Sequence, residues 1–278
     1  MKYLPNRHFK NIRTFNPGNI RDFFMLSKNQ IKHFKSLHLQ KYRTQKGLFL
    51  AEGIKMVDDL CRAGYPIEEI VVTEAHYPHL PTDTSIKITL VTEPELATIS
   101  TLKTPNQVIA VCQIRYPDLL KNPSLFDDLV LYLDTIRDPG NLGTILRTAS
   151  WFGVKNIFCT PDTVELFNPK TVQATMGALA SCNLQYISFD DFQARIPLTI
   201  PIYGLFLKGD KIYNCSPKSN GILIIGSEAH GIRKSIESKV THKLTIPPFY
   251  PQLPHPESLN ASIATAIVLY HFRIPTSS

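Results

Sequence analysis

The sequence predicts an α/β protein in two parts: a C-terminal α/β domain with a mostly parallel sheet, preceded by a smaller α/β domain. Three observations carry this expectation. Six apolar, β-rich runs follow residue 128, several of them separated by helical patterns. Before residue 115 shorter strand-like and helix-like runs alternate over about ninety residues. Between the two lies "RYPDLLKNPSLFDD", polar and interrupted by two prolines, which reads as a linker. The expected division is an extension over 1–24, a small domain over 25–115, a linker over 116–127 and a larger domain over 128–278.

The elements follow in order. "LSKNQIKHFKSLHLQKYRTQKG" sets Ile31, Phe34, Leu37 and Leu39 among Lys and Arg, and reads as one basic helix ended by Gly47. "LFLAEGIKMVDDLCRAG" gives a short strand and a helix closed by Gly64, and "IEEIVVTE", "IKITLVTE" and "NQVIAVCQI" give strands. In the second part "LVLYLDTI" has the uninterrupted apolar character of a strand buried on both faces. "VKNIFCT", "NLQYISF", "IPIYGLFL", "GILIIGS" and "HKLTIP" are runs of the same type, with helical patterns over 143–152, 170–179 and 258–272. No short internal repeat or low-complexity tract is present.

Charge and cysteines narrow the function classes. Residues 1–46 hold eleven Lys or Arg and one acid, Asp22, while the whole chain carries +7, so the remainder is net −3. A basic arm on a near-neutral body suggests a polyanionic partner, most simply nucleic acid. Cys61, Cys112, Cys159, Cys182 and Cys215 are scattered with no C-x-x-C pair, which argues against a disulfide framework or a zinc site. No apolar run approaches the roughly 18 residues of a membrane helix, and a cytoplasmic home is the expectation.

Three clusters carry chemistry. In "DPGNLGTILRTASWFG", Pro139 and Gly140 turn the chain after a strand, Asn141 is suited to cap the next helix, and Gly143 allows close backbone approach. Ile145, Ala149 and Phe152 share the core face of that helix, whereas Arg147 lies about 200° round from Ile145 and points away from it. "GILIIGSEAHGI" ends a strand in Gly226, Ser227 and Glu228, then Gly231: small residues beside an acid able to hold a hydroxyl. In "HKLTIPPFYPQLPHPESLNASIATAIVLYHF" a proline-rich loop leads to a helix with Ser258 as N-cap and Asn260 in its first turn. Ile263, Ala266, Ile267 and Tyr270 form an apolar face on it. Polar turns at the carboxyl ends of parallel strands gather at one end of the sheet, where open α/β sheets bind ligands.

In these stretches the sequence resembles the SpoU/TrmH class of RNA ribose 2′-O-methyltransferases, in the SPOUT superfamily. The three clusters match that family's three motifs in order and spacing, through Asn141, Gly143 and Arg147, then Gly226, Glu228 and Gly231, then Ile246, Pro247, Ser258, Leu259 and Asn260. The resemblance covers roughly 128–273 and extends more weakly to "KYRTQKGLFLAEGIKMVDDL", similar to an RNA-binding domain that often precedes the catalytic one. It implies a trefoil-knotted catalytic domain, S-adenosylmethionine held among loops near Gly204–Leu207, Gly226–Gly231 and Ile246–Leu259, and homodimerisation through that domain. Gly204, Gly226, Gly231, Ile246 and Leu259 would contact the cofactor. Arg147 would be the central catalytic group, with Asn141, Glu228, Ser258 and Asn260 positioning it and the ribose. No metal is implied, since a sulfonium loses its charge on methyl transfer. Against the family's short Gly- and Met-containing loop, "IPPFYPQLPHPESLN" is longer and has no Gly; His255 within it could touch substrate.

RNA contact is expected from Lys28, Lys32, Lys35, Lys41, Arg43 and Lys46, with ribosomal RNA ahead of transfer RNA as substrate. Arg is effectively always protonated, so Arg147 is better suited to hold a phosphate and lower a hydroxyl pKa than to act as a base. Dinucleotide-binding G-x-G-x-x-G, P-loop and G-x-S-x-G signatures are absent. A transfer RNA enzyme, or a non-catalytic RNA-binding or ribosome-assembly factor of the same fold, is the competing reading.

Overall fold

The computed structural model describes residues 26–80, 86–254 and 256–273; the expected 1–24 extension and His255 lie outside the described residues. The first part opens with two helices where one was expected: α1 (Lys28–Ser36) and α2 (Gln40–Lys46). Ser27 and Gln30 form a capping box on α1, and Gly47, at φ +65°, ends α2 in the left-handed region. The break has a visible cause. The Arg43 guanidinium donates to the carbonyls of Leu37 and His38 at 2.9 and 2.8 Å, so these oxygens have a partner without a continued helix.

There follow β1 (Leu48–Glu52), α3 (Ile54–Arg62), β2 (Ile67–Thr73), β3 (Lys87–Val91), α4 (Glu93–Ile99) and β4 (Val108–Gln113). The sheet order is β1-β4-β2-β3; β4 runs antiparallel to both its neighbours and β2 parallel to β3. Helix α4 was not expected, although Thr92 and Glu95 make its capping box.

Residues 116–127 are not a free polar tether. Leu119 and Leu125 are buried, and the Leu119 amide donates to Gln185 Oε1 at 2.7 Å. The second part contains β5 (Leu129–Asp134), α5 (Pro139–Trp151), β6 (Asn156–Cys159), α6 (Pro169–Thr175), β7 (Asn183–Tyr186), α7 (Phe189–Gln193), β8 (Ile202–Lys211), β9 (Gly221–Gly226), α8 (Lys234–Glu237), β10 (His242–Thr245) and α9 (Ala261–Arg273).

Its sheet is ordered β10-β8-β9-β5-β6-β7 with every neighbouring pair parallel. Both faces are covered. Leu129, Leu131 and Leu133 of β5 enter one apolar cluster, and Val130 and Tyr132 enter another, which is why the strand reads as an unbroken apolar run. Phe49, Met56 and Leu60 of the first part join the former cluster, so the two sheets share one core.

The strand order creates a switch point. From β5 the chain proceeds through β6 and β7 to one edge; it then crosses to β8, returns to set β9 beside β5, and leaves for β10 at the other edge. The connections after β5 and β9 therefore diverge, and a crevice opens between their carboxyl ends. Helix α9 then packs on α5, and His271 Nε2 lies 2.9 Å from the Cys215 carbonyl in the β8–β9 connection.

Candidate active site

All three motif stretches meet at that crevice. Asp138, not Asn141, caps α5: its Oδ1 accepts from the Asn141 amide at 2.8 Å, and Pro139 occupies the first turn. Starting the helix earlier leaves the Asn141 side chain free for other partners. Its Nδ2 donates to Glu228 Oε1, and its Oδ1 accepts from Asn260 Nδ2 at 2.9 Å. Asn260 Nδ2 also lies 3.2 Å from Glu228 Oε1.

Asn260 is itself the cap of α9. Its Oδ1 accepts from the amides of Ser262 and Ile263 at 3.0 and 3.3 Å, whereas Ser258, expected as the cap, is exposed two residues earlier. Asn260 thus uses its oxygen on the helix end and its amide nitrogen on the other two members of the trio. Glu228 Oε2 makes no hydrogen bond among the described residues, and remains an open acceptor.

The turn carrying Glu228 is tightly built. Gly231 N donates to the Ser227 carbonyl at 2.8 Å, and Gly231 has φ +63°. A Cβ at Gly226 would come within 2.1 Å of the Gly231 carbonyl carbon, so the glycine first serves the fold-back of its own chain. Gly204 is explained in the same way, since a Cβ there would meet the Phe206 ring at 2.7 Å. Gly143 admits α6: a Cβ would lie 2.5 Å from Ala174 Cβ and 2.6 Å from the Thr171 carbonyl.

One group escaped the sequence reading. Asp134, the last residue of β5, is fully buried and takes the Arg233 amide at 2.8 Å and Arg233 Nε at 2.7 Å. Thr135 Oγ1 links Asp134 to Asp162, at 3.0 and 3.2 Å. Burial by itself would raise the Asp162 pKa, but hydrogen bonds from Thr160 and its own backbone, together with Arg233, leave it below the usual carboxylate value. A buried carboxylate needs such partners, and here they clamp the end of the Glu228 turn to the sheet. The available signal was an acid closing an otherwise apolar strand.

Arg147 is exposed and makes no hydrogen bond or ion pair among the described residues. It stands about 9 Å along α5 from Asn141 at 1.5 Å per residue, outside the trio. The expected cofactor loops line the carboxyl edge. Between the pairings Gly204–Lys243 and Asp210–Leu244 the middle of β8 bulges, and Thr245 Oγ1 holds the Leu207 carbonyl at 3.1 Å. Ile246 is half-buried, and Leu207 and Leu259 expose apolar side chains. Apolar surface at the carboxyl edge of a parallel sheet suits the adenosyl group of such a cofactor.

The expected RNA contacts divide. Lys28, Lys32, Lys35, Lys41 and Lys46 are exposed. Arg43 is not available: it is 2 % exposed and its guanidinium pairs in two-pronged fashion with Glu165 of the larger part, in addition to the two carbonyls above. Arg43 joins the two parts rather than facing a polyanion.

A wholly parallel sheet with a polar trio at its switch point defines a ligand-binding α/β domain, and its relatives say of which kind. Residues 128–270 match the SpoU rRNA Methylase family, and residues 28–110 match an MRM3-like substrate binding domain. The chain belongs to the SpoU rRNA methylase family. It is 32 % identical over 257 residues to the Bacillus subtilis 23S rRNA (guanosine(2553)-2′-O)-methyltransferase RlmP, covering 89 % of this chain and 97 % of that one. A TrmH-family structure from Porphyromonas gingivalis superposes with a TM-score of 0.77 at 36 % identity, over 90 % of this chain and 98 % of that one. An AdoMet-bound rRNA methyltransferase from Sinorhizobium meliloti gives 0.80 at 28 % identity, over 90 % and 96 %. The fold is the SPOUT fold expected from the sequence.

Proposed function

We propose that this chain transfers a methyl group from S-adenosylmethionine to a ribose 2′-OH of RNA, ribosomal RNA ahead of transfer RNA, as a homodimer joined through the larger domain. The observation that carries the reading is the hydrogen-bonded trio of Asn141, Glu228 and Asn260, drawn from three distant stretches to one crevice. Relatives named as rRNA 2′-O-methyltransferases support it. A cytoplasmic home, the expectation from the sequence, is compatible with a ribosomal substrate.

Bound S-adenosylmethionine supplies a methyl group already activated on sulfur. The residues of the chain then have two tasks. Glu228 Oε2 accepts the hydrogen of the ribose hydroxyl, and Asn141 and Asn260 hold the carboxylate still, so that the oxygen approaches along one line. Arg147 stays protonated, grips the neighbouring phosphate and lowers the hydroxyl pKa electrostatically. Ser258, exposed two residues before Asn260, is left to face the ribose.

The isolation of Arg147 from the trio accords with its serving the cofactor of the second subunit. An exposed apolar strip supports the dimer: Trp151 of α5 is 84 % exposed, and Ile263 and Tyr270 of α9 are 52 % and 61 % exposed. Labelled methyl supplied with purified ribosomal and transfer RNA tests the substrate. The expected outcome is label in ribosomal RNA at one nucleotide; label confined to transfer RNA overturns the preference.

A further inference from the structure

We propose that Phe249 and Tyr250 form a stacking platform for unpaired nucleobases flanking the methylated nucleotide. The inference rests on the RNA reading above.

Both rings sit in the loop that leaves β10 at Thr245 and ends at Asn260, so the platform is tethered at one end to the trio itself. Phe249 is 88 % exposed and Tyr250 55 %. Their centroids are 4.6 Å apart at an interplanar angle of 89°, edge to face, so each ring steadies the other and leaves a face open. The loop is stiffened: Pro247, Pro248, Pro251 and Pro254 restrict the backbone, and the Leu253 amide closes a turn onto the Tyr250 carbonyl at 3.1 Å. Ordering it on binding therefore costs little.

Two adjoining exposed aromatic rings in the loop that ends on the trio are a contact surface, and charge selects the occupant. Residues 246–256 contain no Asp or Glu. The neighbouring end of β8 presents Lys208 and Lys211, both exposed, around Asp210. An RNA backbone can approach such an edge, and unstacked bases lie on aromatic faces without regard to sequence. The lysines of α1 and α2 would hold phosphates elsewhere on the same strand, dividing the work between charge and stacking.

The test uses the full chain without cofactor, a fluorescent single-stranded RNA of mixed sequence, and a duplex of the same length at fixed salt. Phe249→Ala is expected to weaken single-strand binding about tenfold, the worth of one stacked base. Phe249→Leu should behave like Phe249→Ala, and Phe249→Trp like the parent, because a ring face is required rather than apolar bulk. Duplex affinity, S-adenosylmethionine affinity by calorimetry and sedimentation behaviour should all stay within twofold or unchanged. Three outcomes overturn the platform alone: unchanged single-strand affinity in Phe249→Ala and Tyr250→Ala, lost cofactor affinity with RNA binding intact, or a dissociated oligomer. A parent protein that binds neither RNA overturns the RNA reading as well.

Discussion

The two sheets of this protein are built from similar apolar runs and are covered by helices, yet only one gathers a reactive crevice. In the smaller sheet β4 opposes β1 and β2, so strand ends of both kinds share each edge and the polar turns are dispersed. In the larger sheet every strand runs the same way, so every outgoing loop issues at one edge, and the order reversal at β5 and β9 opens that edge. Strand direction thus sets where chemistry can concentrate. The smaller part is left with surface charge, which is suited to holding a polyanion rather than changing it.

If that division of labour is right, the largest effect belongs to the crevice. Arg147→Ala should cut methyl transfer by roughly 10²–10³ while calorimetric cofactor affinity stays within twofold; near-parental turnover would remove Arg147 from the reaction. Next is the joint between the parts. Arg43→Ala strands Glu165 and two carbonyls, and should cost about 3 kcal/mol in chemical denaturation; a loss under 1 kcal/mol would make the pair a surface contact in all but appearance.

A smaller effect is expected on the charged helices. Replacing Lys28, Lys32 and Lys35 by Glu should weaken RNA binding about tenfold or more and flatten its salt dependence, with cofactor affinity unchanged. Equal RNA affinity in that variant would break the comparison from the other side.

The smallest effect is a pH term in the smaller part. Burial first, then neighbouring His79, holds the His76 pKa below its usual value. The folded state resists the proton that the unfolded chain accepts, so this contribution is present above the unfolded value near 6.5 and fades as pH falls through it. Thermal midpoints taken from about pH 7 to 5.5 should therefore fall less steeply for His76→Gln than for the parent. Identical slopes would contradict the assignment.

What could be read from the sequence follows the range of the interactions. The parallel strands, α5 and the meeting of Asn141, Glu228 and Asn260 were legible, because apolar runs and turn residues are local signals and the strand order brings their ends together. Arg43 was misread as a phosphate contact because its partner, Glu165, is 122 residues away and nothing beside Arg43 announces it. The break between α1 and α2 has a local cause, the Arg43 guanidinium on the Leu37 and His38 carbonyls, but apolar periodicity does not show a side chain closing a helix. The caps went wrong by two or three residues: Asp138 outcompetes Asn141, and Asn260 rather than Ser258 reaches the α9 amides.

Helix α9 is instructive in another way. The face Ile263, Ala266, Ile267 and Tyr270 was visible as apolar, yet the structure buries Ala261, Ser262, Thr265, Val268 and Leu269 and exposes Ile263 and Tyr270. A helix apolar on two sides has two partners, and periodicity cannot say which lies within the chain.

The central claim is that three remote turns form one pocket serving a sugar oxygen. Its most direct measurement is alkaline hydrolysis of RNA labelled by the protein from methyl-tritiated S-adenosylmethionine. A methylated 2′-oxygen cannot attack the adjoining phosphate, so the label should emerge in an alkali-resistant dinucleotide. Label in a mononucleotide, on the base, would contradict the account.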